Sequence, residues 1–425
     1  MRLTDPDIYT RYMYSYPHKT AYRAIEKRYP WDFAFELENR SASLYMHIPF
    51  CSSKCGYCNL FSMVCNERET HNLYISAMQK QADELSSHMN IAFDSHIIGG
   101  GSPLIFQPEM IDKLFEVGKN VFNMNYNEVF SCIEASPDDV TEEKLSVISE
   151  NKVNRISIGV QSFLDSELYV LGRMHSADSA LDALQKIKYV GFESLNIDLI
   201  YGVPGQTNES FLFSVKKAIE FVPDEIFIYP LYIRPNKRVA GEMADRYSMY
   251  WLARKMLLEN GYHQHSMRHF LKKKTSNVSC GFENTISLGV GGRSYIGRLH
   301  CCAPYSDNQT VIKRQISEYI SNGDNNLIDY GFILNNSELK RRFIIKNLFV
   351  SSGMNMDDYK IMFDSELTDE FSLINEWIEK EICFEDKVNR RFFLTEKGIA
   401  LSDYLGSQLI SPTVTSLMDQ WEDYK

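Results

Sequence analysis

Three cysteines, Cys51, Cys55 and Cys58, stand four and three residues apart in YMHIPFCSSKCGYCNLF. Thiolates are the usual ligands of iron-sulfur clusters, and a four-iron, four-sulfur cube needs four ligands, so three thiols leave one iron open to a small molecule. S-adenosylmethionine (SAM) can chelate such an iron through its amino and carboxylate groups. An electron from the reduced cluster then breaks a carbon-sulfur bond and releases a 5′-deoxyadenosyl radical; the cofactor brings the chemistry and the protein brings placement and dryness. The competing assignment is a zinc site that adds His47 or Cys65 to the three thiols, because four nitrogen or sulfur ligands suit a tetrahedral ion. Zinc modules pair two short-spaced couples, whereas this triplet follows one apolar run, so iron-sulfur is the expectation.

Further polar residues sit where apolar runs end. Gly99-Gly100-Gly101-Ser102-Pro103 follows a second run, and without side chains its backbone can approach a ligand closely, here the amino end of SAM. Glu134 in CIEASP, Gln161 in IGVQSF and Asp198 in NIDLIYG repeat the pattern. One such residue is usually a helix cap, but three in succession argue for a shared site, with carboxylates for the ammonium and ribose hydroxyls of SAM and Gln161 for a polar edge. Arg173 in LGRMH is the candidate partner of the SAM carboxylate.

These positions need a scaffold that brings them together. From Ser43 to about Ile233, short apolar runs alternate with helix-length amphipathic stretches, the rhythm of βα units. Six strands are predicted, at 44–48, 95–98, 128–133, 155–159, 194–200 and 225–229. Helices are predicted at 71–88, 108–118, 141–150, 176–190 and 207–221. The fold class is therefore α/β: a partial (β/α)6 TIM-like barrel, whose ligands collect at the carboxyl ends of the strands. Ahead of it, residues 1–42 form an aromatic leader (Tyr9, Tyr12, Tyr14, Tyr16, Pro17, His18, Tyr22) expected to pack on the barrel. The predicted division continues as a core over 43–236, a barrel-completing or linking region over 237–336, and a small helical, winged-helix-like domain over 337–425. That last domain has a short strand pair around Cys383 and Phe392–Phe393. Between 337 and 405 it holds 10 Lys and Arg against 14 Asp and Glu, so a lid or interaction role is favoured over DNA binding despite Lys340, Arg341 and Arg342.

Length and composition fit this division. At 425 residues the chain exceeds what one core usually serves. A net charge of −11 disfavours nucleic acid as a partner, since neutralising phosphates needs surplus Lys and Arg. The first residues lack the order of a secretory signal and no run of 18 apolar residues occurs, so a cytoplasmic protein without membrane partners is expected. Nine cysteines, an odd count clustered at one point, do not suggest disulfides. Cys65, Cys132, Cys280 and Cys383 are expected as core thiols, while Cys301–Cys302 is a candidate pair for a second cluster.

Taken together, YMHIPFCSSKCGYC, GGGSP, SIGVQSF, LGRMH and NIDLIYGVPGQT resemble the HemN-like branch of the radical SAM superfamily over roughly 43–300, with a weaker C-terminal likeness. This branch includes oxygen-independent coproporphyrinogen dehydrogenases, the haem chaperone HemW, haem-opening methyltransferases and natural-product methylases. The resemblance implies cluster ligation by Cys51, Cys55 and Cys58. It implies SAM contacts by Tyr45, Tyr57, Gly100, Gly101, Ser102, Glu134, Gln161, Arg173 and Asp198, and a reductant such as flavodoxin or ferredoxin. It also admits a second SAM, for which the leader YSYPHKTAYR and the Gly289–Gly292 turn are the candidate lining. Two departures bear on activity. The dehydrogenases place a further cysteine two positions after the third, where this chain has Leu60, which argues against oxidative decarboxylation of coproporphyrinogen. The chaperone's HNxxYW string is absent before SLGVGGRSYIG, which argues against haem delivery. The expected protein is an enzyme that cleaves SAM to act on an unidentified small molecule, with alkylation, methylation or oxidative rearrangement of a conjugated, for example tetrapyrrole, substrate. The alternative is a non-catalytic haem chaperone using His18, His175, His263, His265, His269 or His300.

Overall fold

The structure, a computed structural model, describes residues 8–9, 13, 15–37, 41–232, 244–273 and 284–421. Tyr12, Tyr14, Ile233, Cys280 and the predicted boundary at 236 lie outside the described residues.

All six predicted strands are present: β2 (Ala42–Ile48), β3 (Phe93–Gly100), β4 (Phe130–Ala135), β5 (Arg155–Gln161), β6 (Ser194–Tyr201) and β7 (Glu225–Pro230). They pair in parallel in that order. The predicted helices between them are α1 (Arg68–His88), α2 (Pro108–Phe122), α3 (Glu142–Glu150), α5 (Ala177–Val190) and α6 (Asn208–Glu220). Several begin where the sequence supplies a cap. The side chains of Thr141, Ser176 and Thr207 accept from the backbone N–H of Lys144, Ser179 and Ser210, which satisfies donors the first helical turn leaves open. The short helix α4 (Asp165–Val170) was not predicted; it fills the connection that carries Arg173.

The sheet is larger than expected. To the six strands are added β1 (Arg23–Arg28), β8 (His263–Gln264), β9 (His269–Leu271), β10 (Thr285–Leu288), β11 (Ser294–Ile296), β12 (Leu299–Cys301) and β13 (Ile328–Ile333). The order across all thirteen strands is β1-β13-β12-β11-β10-β2-β3-β4-β5-β6-β7-β9-β8. Strand β10 runs parallel to β2, so the parallel run has seven strands and not six. Antiparallel strands extend both ends and the sheet stays open, a partial barrel with helices outside.

Parallel strands covered by helices are usually apolar on both faces. Here β5 reads RISIGVQ and β6 SLNIDLIY, with Ile156, Ile158, Val160, Leu195, Ile197 and Leu199 buried against the helices. The alternate positions, Arg155, Ser157, Gly159 and Gln161, then Ser194, Asn196 and Asp198, face the concave side, because successive residues of a strand point to opposite faces. The concave face is thus polar.

After β13, helix α7 (Asn336–Leu348) leads into shorter helices and a three-stranded sheet of β14 (Met354–Asn355), β15 (Cys383–Asp386) and β16 (Arg391–Leu394), a helical region with the expected strand pair. Its basic trio is held by protein contacts: Lys340 by Glu370, Arg341 by the Leu409 carbonyl and Arg342 by the Tyr16 carbonyl. Tyr16 and Tyr22 of the leader are fully buried. Tyr16 donates to Glu338 of α7 and accepts from the Ser411 N–H, so the leader bridges barrel and C-terminal region. Among the described residues no helix is long and apolar enough to cross a membrane.

Candidate active site

The thiol loop leaves the carboxyl end of β2 and is pinned from two sides. The Gly101 and Ser102 N–H groups donate to the Ile48 and Phe50 carbonyls at 2.7 and 2.8 Å. On the other side, the Gly56 N–H donates to the Leu171 carbonyl at 2.9 Å. A Cβ on Gly172 would lie 2.8 Å from the Gly56 nitrogen, so the LGRMH segment packs directly on the loop.

Burial pushes the Cys51 thiol up to about 12, with Cys58 and then Cys55 acting in the same direction, so Cys51 keeps its proton here. A coordinating metal removes such protons outright. Among the described residues no three His, Cys, Asp or Glu side chains converge as one ion would require. The zinc assignment fares poorly for a further reason: His47 is occupied, with Nδ1 3.2 Å from the Tyr45 hydroxyl and Nε2 2.8 Å from the Phe61 carbonyl. A cube presents a separate iron to each thiol, and its ligands need not converge on one point. The donor set, three free thiols on one loop with no metal-holding group of three among the described residues, suits such a cluster.

The glycine run is pressed against this loop. A Cβ on Gly99 would lie 2.8 Å from the Glu134 carboxylate. On Gly100 it would lie 2.8 Å from the His47 ring, and on Gly101 2.5 Å from the Phe50 carbonyl oxygen and 2.8 Å from Cys51 Sγ. Gly100 also has φ +121°, a conformation other residues avoid. The Gly100 N–H donates to Glu134 Oε2 at 3.0 Å, and the Ser102 hydroxyl donates to Asp139. Backbone, thiols and carboxylate thus meet at one edge of the hollow.

The remaining predicted residues line the same concave face. Gln161 ends β5 at a bulge, where Gly159 pairs with Asp198 but Gln161 with Leu199, and its φ is +70°. Left-handed backbone at a residue other than glycine concentrates at functional sites. Arg173, which a surface position would leave in water, is drawn in: its guanidinium donates to the Gly159 carbonyl at 2.8 Å, to Ser136 at 3.1 Å and to Cys55 Sγ at 3.4 Å. Tyr57 packs against Leu171, Ile200, Val203 and Leu231. Tyr45 stands beside His47 on β2.

Polar residues that sequence reasoning did not single out tie the carboxylates together. Arg155 donates to Glu225 at 2.9 Å, and Glu225 also meets His269 Nε2 at 2.7 Å. Asn196 donates to Asp198 at 2.8 Å and to Ser157 at 2.7 Å. Burial pushes Asp198 up to about 7, aided by Glu134 and Glu225 and opposed by Asn196 and Arg155. Glu134 is likewise raised by burial, against the pull of the Gly100 N–H. Burial alone would raise Glu225, but the His269 bond and Arg155 outweigh it and leave it below the usual carboxylate range. The signal for Arg155, Asn196 and Glu225 lay in the period-two alternation of β5, β6 and β7.

Other candidates fall elsewhere. Cys65, Cys132 and Cys383 are buried. Burial raises the Cys301 thiol, and the Cys302 thiol to about 11; no metal-holding group among the described residues includes either. The Gly289–Gly292 turn is filled by its own chain: a Cβ on Gly289 would strike the Tyr74 hydroxyl and the His47 carbonyl, and one on Gly292 the Ser287 hydroxyl. Of the six histidines, His175 holds Arg173 Nε and the Val160 carbonyl, His269 holds Glu225, and His18 holds Thr20. His265 lies edge-on to His269, His263 is exposed on β8, and His300 is enclosed.

Residues 45–218 match the model of the radical SAM superfamily. Over 381 residues the chain is 26% identical to the haem chaperone HemW of Lactococcus lactis, covering 85% of this chain and 95% of that one. It is 24% identical to the oxygen-independent coproporphyrinogen III oxidase of Pseudomonas aeruginosa, over 98% of this chain and 96% of that one. The coproporphyrinogen III oxidase HemN from Escherichia coli has the same fold, with a TM-score of 0.82 and 22% identity over 95% of this chain and 98% of that one. A superfamily match of this kind implies a 4Fe-4S cluster and SAM as cofactors. The chain carries a radical SAM domain, in a protein homologous to both HemW and HemN.

Proposed function

We propose that the protein is a radical SAM enzyme acting on a small molecule held in the hollow of the partial barrel. Cys51, Cys55 and Cys58 would ligate the cluster. Tyr45, Tyr57, Gly100, Gly101, Ser102, Glu134, Gln161, Arg173 and Asp198 would contact SAM. Together the bound cluster and SAM supply one-electron reduction and hydrogen abstraction. The observation that carries this reading is the Gly99–Gly101 strand end, whose three missing side chains admit Glu134, His47 and Cys51 to one edge.

The chain's own residues do the rest. Glu134 accepts from and orients an ammonium group. Arg173, anchored by Gly159 and Ser136, places a positive charge at Cys55, where it favours an anionic loop and a carboxylate ligand. Asp198 exchanges a proton near neutrality, so the acid wall adjusts its charge to what it holds. Tyr229, Phe227 and His269 form a stacked row along the hollow, with ring centroids 5.6 and 4.0 Å apart, a surface suited to a flat unsaturated substrate. Alkylation, methylation or oxidative rearrangement of such a substrate fits this wall, and a flavodoxin or ferredoxin would serve as reductant. Leu60 stands where the coproporphyrinogen dehydrogenases have a further cysteine.

The likeness to HemW supports a second reading, a haem carrier. The two separate on one experiment. Reconstituted anaerobically, the wild type should hold about four irons and as many sulfides per chain, and Cys55→Ala far fewer. SAM added to the reduced protein should change the electron paramagnetic resonance spectrum of its cluster. A cluster blind to SAM, with stoichiometric haem uptake, would favour the carrier.

A further inference from the structure

The concave face continues past the thiol loop. Across the sheet Tyr45 pairs with Ser287, Ser43 with Thr285, Thr285 with Tyr295, and Tyr295 with His300. Paired residues on neighbouring strands share a face, so Tyr295 and His300 look to the same side as Tyr45.

This end of the face holds polar groups that the fold does not satisfy. His300 is fully buried and neither ring nitrogen has a hydrogen-bond partner. Its ring meets Tyr295 at 4.6 Å. Tyr22, equally buried, leaves its hydroxyl unpartnered, and the buried Ser287 hydroxyl is a third such group. The groups acting on Tyr22 include Tyr295, Cys302 and Arg293, and those acting on His300 are Arg342 and Arg293. Both guanidinium groups stand over the Tyr295 ring, at 5.7 and 5.2 Å.

A buried polar group left without a partner costs about 1–3 kcal/mol, so several in one place call for an explanation. Hydroxyl and imidazole donors beside two guanidinium groups match one chemistry best, an acceptor carrying negative charge. The opposite half of the hollow, with Glu134, Asp198 and Glu225, would repel the same group. We infer that Tyr22 and His300, backed by Arg293 and Arg342, form a subsite for a carboxylate of a ligand whose remainder lies toward the thiol loop. The inference rests on the proposed function in taking the hollow as a ligand site. Such a carboxylate can come from a second SAM molecule, the first having its carboxylate at the cluster, or from a carboxylate-bearing substrate.

The test uses the reconstituted protein without reductant, as wild type, Tyr22→Phe and His300→Leu. Binding is measured for SAM against decarboxylated SAM, and for coproporphyrin III against its tetramethyl ester. Both variants should lose about tenfold or more in affinity for one carboxylate probe and nothing for its carboxylate-free counterpart, tenfold being about 1.4 kcal/mol. The probe affected identifies the source. Unchanged affinity for both carboxylate probes would overturn the subsite and leave buried water as the occupant. Tyr22→Phe removes only an unpartnered hydroxyl, so its thermal midpoint should equal or exceed that of wild type; a clear fall would overturn the assignment too. No electron is needed for binding, so the result stands apart from any failure to cleave SAM.

Discussion

The two halves of the concave face satisfy their polar atoms differently. Around β4 to β7 every carboxylate is partnered: Glu134 takes the Gly100 N–H, Glu225 takes Arg155 and His269, and Asp198 takes Asn196, while Arg155 Nε and Asn196 Oδ1 stay open. Around β10 to β12 and the leader, the Tyr22 hydroxyl and both His300 nitrogens stay unpaired beside cations. Carboxylates already paired by the fold are held in place before a ligand arrives, whereas a ring and a hydroxyl with no partner at all depend on something added. The difference teaches that one half is preorganised and the other incomplete.

The largest effect is expected at the seam. Gly101→Ala drives a Cβ into the Phe50 carbonyl and Cys51 Sγ, so the thiol loop must move; iron content after reconstitution should fall several-fold, with about 2 kcal/mol or more lost in stability. Next is the satisfied half. Arg155→Met takes the guanidinium from the buried Glu225 carboxylate, leaving it His269, and should cost about 3 kcal/mol in denaturant unfolding. A cost near zero would mean that the network is not what rigidifies that wall.

A smaller effect is pH-dependent. Asp198 is raised in the folded state, so its protonated form stabilises the fold at acid pH, and that contribution fades as pH rises toward and past about 7. Asp198→Asn should flatten the fall in thermal midpoint between pH 5 and 8; an identical slope in the variant would remove Asp198 as its source. Smallest is Tyr22→Phe, within about 1 kcal/mol of wild type and not below it, since the hydroxyl leaves no partner behind. A large loss there would erase the contrast between the halves.

The preorganised half was legible because its signals are local. Each strand end from Glu134 to Asp198 interrupts an apolar run, and caps such as Thr141, Ser176 and Thr207 mark the helices that follow. Strand β10 was not legible: four residues long, it joins β2 across more than two hundred residues of sequence, and nothing local names its partner. Arg155 and Glu225 were half-visible, as polar residues in strands that a helix-covered sheet would make apolar on both faces. Tyr22 and His300 come beside the same Arg293 only through the leader and the antiparallel strands, so their neighbourhood is a product of topology. Arg173 was legible as a candidate in LGRMH, but the short helix α4 that carries it inward, six residues long, was not.

The most direct test is chemical. Reduced anaerobically with SAM present, the reconstituted protein should release 5′-deoxyadenosine, and Cys58→Ala, which removes one thiol from the loop, should release almost none. A wild type that holds about four irons per chain yet forms no deoxyadenosine under a strong reductant would contradict the radical enzyme.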